Sequence, residues 1–130
     1  MAKYNRSWLV VLLASLAIPS TVFADDVDTC LNNVSAINQR GSEITSLASQ
    51  ANSELDAIRA SQPDMDDAVF MGKVDVAYGP VRKLCQELRF HETKELCASV
   101  INNGTAGGRL SQVQEAASSL DNWAGPCEAQ

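Results

Sequence analysis

The sequence predicts an all-α fold, an up-down helical bundle with a long N-terminal helical hairpin, two shorter helices and two disulfides. Three observations predict it. Apolar residues alternate at spacings of three and four from Val27 to Ile58 and again from Met71 to Leu88, no segment alternates with the period of a strand, and four cysteines fall after residue 24.

The first element is a leader. Lys3 and Arg6 precede an apolar run from Trp8 to Ile18 with only Ser15 inside it, Pro19 breaks it, and Val22 and Ala24 place small residues at −3 and −1 before Asp25. That order of charge, apolar core and cleavage site predicts a signal peptide over residues 1–24. The run is much shorter than the ~20 residues of a membrane-spanning helix, so the reading is cleavage and not anchoring. Residues 25–130 are then expected to form one mature domain in the periplasm or secreted, with no membrane insertion after cleavage.

The formal net charge is −6, and loss of Lys3 and Arg6 makes the mature part more acidic still. An acidic surface repels phosphate backbones and anionic lipid, which argues against a nucleic-acid partner. Cys30, Cys85, Cys97 and Cys127 are an even set in an exported chain, which predicts two disulfides. No C-x-x-C pair favours zinc. The simplest bundle brings the two chain ends together and folds the second and third helices about His91, so the expected pairs are Cys30–Cys127 and Cys85–Cys97.

From Val27 to Ile58 one seam position holds Val27, Val34, Gly41, Ala48 and Leu55, and the other holds Cys30, Ile37, Ile44, Ala51 and Ile58. The pattern predicts a single long amphipathic helix. Ser61 and Pro63 suit the start of a second helix, with Asp64, Asp66 and Asp67 facing the positive end of its dipole. Its seam reads Met71, Val74, Tyr78, Val81, Cys85 and Leu88, with a kink expected at Gly79-Pro80. A third, short helix carries Leu96, Cys97, Val100 and Ile101, and Asn102-Asn103-Gly104 ends it. The last helix carries Leu110, Val113, Ala117, Leu120 and Trp123, and Gly125-Pro126 is expected to stop it.

These lengths do not match. At 1.5 Å per residue the first two helices reach about 50 and 40 Å and the others about 15 and 25 Å, so the far end of the hairpin should protrude. Its stripe of Ile44, Leu47, Leu55, Ile58, Met65, Val69, Phe70 and Met71 is the expected surface for a protein partner or a homodimer. Leu47, Leu55, Ile58, Met65, Val69, Phe70 and Met71 are the candidate partner-binding residues.

No constellation for catalysis, cofactor or metal emerges. His91 is the only histidine and falls at a predicted turn, and no serine sits in G-x-S-x-G. Asp64, Asp66 and Asp67 lack the glycine and glutamate of a calcium loop, since Val69 and Asp75 stand there. C-x-x-C-H is absent, and Met65 and Met71 lie at the wrong end of the second helix to pair with His91 on a haem. Of two glycosylation tripeptides beyond the leader, at Asn33 and Asn103, only the second falls outside a strong helix. The expectation is a non-catalytic interaction module without a cofactor, of inhibitor, immunity or envelope-adaptor type; the alternative is a chaperone-like binder of unfolded proteins.

Overall fold

The computed structural model describes residues 18–128, with side chains from Asp26 onward; most of the leader lies outside them. Among the described residues every regular element is a helix: α1 (Ile18–Gln39), α2 (Gly41–Ser61), α3 (Asp67–Ala77), α4 (Gly79–Glu87), α5 (Phe90–Asn102), a 3-10 turn (Gly107–Arg109), α6 (Leu110–Ser119) and α7 (Asp121–Glu128).

The helices line up as three broken rods running up, down and up. Helices α1 and α2 form the first, interrupted only at Arg40, whose N–H is shared between the carbonyls of Ala36 and Ile37. The seam read from the sequence survives this break. Val27, Cys30, Val34, Ile37, Gly41, Ile44, Ala48, Ala51 and Leu55 are buried and Ile58 is half-buried.

The second rod is α3, α4 and α5. Tyr78 alone separates α3 from α4, and Pro80 occupies the first turn of α4, where its missing N–H costs nothing. The expected kink is thus a one-residue interruption. The turn expected at Phe90–Glu92 lies earlier, at Leu88–Arg89, and it does not reverse the chain. Helix α4 packs on α2 and α7, whereas α5 packs on α1 and α6. Arg89 makes this joint with φ of 57°, a left-handed conformation that costs a non-glycine residue roughly 1–2 kcal/mol.

The third rod returns alongside α1. Arg109 reaches Asp28 at 2.6 Å and Asn38 donates to Ser119 Oγ at 3.1 Å, so α6 runs in the same direction as α1. The chain bends at Leu120, and α7 packs on α2 and α4. Pro126 does not stop this helix, which continues to Glu128. Lys94 holds Glu128 at 2.6 Å across the α5–α7 contact. That hydrogen bond and charge keep the Glu128 carboxyl below its ordinary pKa.

This course corrects the disulfide pairing. The bridges are Cys30–Cys97 and Cys85–Cys127, with Cα–Cα distances of 5.3 and 5.6 Å. The expected Cys85–Cys97 pair needs a hairpin at His91, but the chain carries on downward there and delivers Cys97 to α1. The expected Cys30–Cys127 pair needs the ends to meet, but α7 finishes at the middle of the first rod beside α4. Peptide mapping without reduction should recover Cys30 joined to Cys97 and Cys85 joined to Cys127, with no titratable thiol in the denatured protein; a Cys85–Cys97 peptide would refute the three-rod course.

Where the first and third rods break, they touch. The Trp123 indole N–H donates to Asn38 Oδ1 at 2.8 Å, and its six-membered ring lies over Gly41. A Cβ added at Gly41 would overlap Trp123 Cη2 and Cζ2. Gly41→Ala should therefore destabilise the protein by about 1–3 kcal/mol in urea unfolding, as overpacking does. In a Trp123→Ala background the same change should become neutral or stabilising, because alanine is the better helix former by about 1 kcal/mol.

Candidate functional site

Two core clusters divide the molecule along its length. The larger contains Ile37, Ile44, Val81, Leu84, Phe90, Val113 and Leu120 together with both bridges. The smaller lies toward the hairpin tip and consists of Ala51, Leu55 and Ala77, with Ile58, Phe70, Val74 and Tyr78 packed against it. Only α2 and the chain from α3 through Tyr78 supply it, so the tip is two helices thick, as the mismatch of lengths predicts. Small residues at Ala51 and Ala77 let the helices come close. Two polar contacts reinforce them: the Arg59 guanidinium lies 4.0 Å from the centre of the Phe70 ring, and the Tyr78 hydroxyl donates to Asn52 Oδ1.

The tip begins later than the sequence suggests. Ser61 is the last residue of α2, its hydroxyl bonded to the Ile58 carbonyl, and Pro63 lies in the connection. Helix α3 starts at Asp67, which keeps one carboxylate in its first turn. The candidate partner-binding residues then separate. Leu55 is buried in the tip core, only 7% exposed, so it is no docking residue. Leu47, Ile58, Met65 and Phe70 are half-buried, with Leu47 against the larger cluster and Ile58 and Phe70 against the smaller. Val69 and Met71 stand out at 51% and 49% exposed. Met71 is thereby removed from the inner seam of the second rod, where Phe70, Val74 and Ala77 stand.

The sequence reading missed Val76, the most exposed large apolar residue of the described chain at 74%. It lies one turn-pair beyond Val69, seven residues on and on the same helical face. Ala68 and Gly72, both exposed, lie beside them four residues apart, and a Cβ built at Gly72 meets nothing within 4 Å. Together Ala68, Val69, Gly72 and Val76 form an apolar outer face with a shallow trough, and Met71 stands beyond it on the far side of Asp75. The signal was present: seven of the eleven residues from Asp67 to Ala77 are apolar, distributed all round the helix. A helix of that kind is ordinarily enclosed, yet α3 is covered on one side only.

The opposite side of the hairpin is unlike it. Ser42, Thr45, Ser46, Ser49, Gln50 and Ser53 of α2 line an open polar groove of about 850 Å³ that Trp123 closes at one end. Gln50 donates to Ser46 Oγ there at 3.5 Å, and the lining side chains of α2 are exposed to solvent. His91 is exposed and sits edge-on to Phe90, with ring centres 5.6 Å apart. Among the described residues no three acidic, histidine or cysteine side chains gather as a metal site would require, and no helix is long and apolar enough to cross a membrane.

Filling the trough should be harmless to an isolated chain. Gly72→Ala is expected to raise stability by up to about 1 kcal/mol in urea unfolding, since it removes a flexible glycine from a helix interior and meets open space. A loss of stability would mean that the face is already covered within the molecule. Comparison with protein families, curated proteins and solved structures finds no match to the chain.

Proposed function

We propose that the mature chain is an exported, non-catalytic protein-interaction module, of inhibitor, immunity or envelope-adaptor type, that docks a protein partner on the outer face of α3. The observation that carries this reading is Val76, 74% exposed in a helix that is apolar all round and covered on one side. Water contact at Val69, Met71 and Val76 is unfavourable at roughly 25 cal/mol per Å², and a partner that removes it recovers that free energy. The division of labour supports the same reading. Both bridges and the large core lie in the three-rod part, which leaves the tip projecting as a two-helix surface.

Two buried disulfides, with no free cysteine among the described residues, support an oxidising compartment and hence the periplasm or the cell exterior. They agree with the leader read at residues 1–24.

Val76→Asp tests the face directly, and it is a better probe than Phe70→Asp because Phe70 also packs against the tip core. Affinity capture from the native envelope extract should yield one stoichiometric partner with the wild type, lost with Val76→Asp while helical content stays unchanged. Retention of that partner by the variant would place the contact elsewhere. A mixture of many unfolded clients would favour the chaperone-like alternative instead.

A further inference from the structure

We infer that the occupant of the α3 face is a cationic amphipathic helix of another protein, an inference that rests on the docking reading above and gives it a partner chemistry. Shape is the first ground. Ala68 and Gly72 stand four residues apart with Val69 and Val76 beside them, and no atom lies within 4 Å of a Cβ placed at Gly72. A shallow trough of small side chains along an i, i+4 row, with larger ones at its edge, accepts the side-chain ridge of a second helix at close range.

Charge is the second ground. Between residues 61 and 78 stand Asp64, Asp66, Asp67 and Asp75, against Lys73 in the same segment and Arg59 of α2, which lies over Phe70. Asp75 has a partner in Arg82 at 3.6 Å, whereas Asp64, Asp66 and Asp67 make no ion pair among the described residues. These three gather at the tip end of the face. Lys73 stands next to Gly72 at the middle of α3, and Arg82 and Lys83 lie beyond its other end. The complementary helix places lysines or arginines opposite the tip and an apolar ridge over Gly72. A parallel second copy of this chain is disfavoured, because it would bring one acidic tip against another within a chain of net charge −6; an antiparallel copy would show as concentration-dependent self-association of the oxidised protein, lost with Val76→Asp, and would overturn the assignment of the occupant.

The test uses two synthetic probes on the oxidised mature protein: a labelled 18-residue helical peptide of leucine and lysine, and its counterpart with glutamate for every lysine. Fluorescence anisotropy should give at least tenfold tighter binding of the lysine peptide, weakening as salt is raised. Val76→Asp should abolish that binding even though it adds a negative charge, which general attraction of a cation to an acidic protein would not do. Gly72→Leu should weaken it at least tenfold without loss of folded stability, and Ser46→Asp, on the polar side of α2, should leave it unchanged. Equal binding of the two peptides would overturn the cationic assignment and leave the docking face standing. Binding of neither peptide, or identical behaviour of Val76→Asp and Ser46→Asp, would overturn the docking face itself.

Discussion

The seat of the Trp123 ring on Gly41 is the contact around which the rest of this molecule is arranged. The first rod presents one long buried seam, and the remaining chain is supplied as shorter helices that cover it only in sections. Each section must end at a joint. At residue 41 the first rod has no side chain, and the indole occupies that space while its N–H is fixed by Asn38. Asn38 also holds Ser119, so one amide secures the end of α6 and the ring of α7 together. The bend at Leu120 follows from this, and with it the approach of Cys127 to Cys85.

The same arrangement concentrates packing at one end. Phe90, Ile37, Ile44, Leu120 and Val113 are fully enclosed within three rods, whereas the tip core is built from Ala51, Leu55 and Ala77 between two helices. Local stability follows the apolar contacts available, so the tip belongs to the part of the molecule that opens most readily. Arg59 over Phe70 and Tyr78 on Asn52 partly compensate. A surface that must meet a partner is therefore carried on the less constrained end, while the covalent constraints hold the other.

The sequence was legible where a single periodicity governed the outcome. The seam of α1 and α2 was read almost residue for residue, because the 3.6-residue repeat and burial agree across the break at Arg40. It was not legible where one residue resets the phase. Tyr78 interrupts the second rod, so a seam extrapolated from Val81 and Cys85 selects Met71, while the helix turns Phe70 and Ala77 inward. The joint at Arg89 carries no glycine or proline to announce it, and without knowing that the chain continues downward there the cysteines cannot be paired correctly. Val76 escaped notice because it lies off the inner seam, on the side of α3 that a search for core positions passes over. The length mismatch that left the tip uncovered was plain from the positions of the turns alone.

Pairing Cys30 with Cys97 and Cys85 with Cys127 makes the two bridges cross in sequence rather than nest. The two longest connections between helices are the tip at residues 62–66, exposed along most of its length, and the loop at residues 103–106, exposed at Asn103 and Gly104. Had the bridges nested, cuts in both would free the middle fragment, closed on its own Cys85–Cys97 link. With crossed bridges the middle fragment is tied to the first piece through Cys97 and to the last through Cys85. A chain opened at both places remains a single covalent molecule, with its larger core still gathered around the same two sulfur–sulfur bonds.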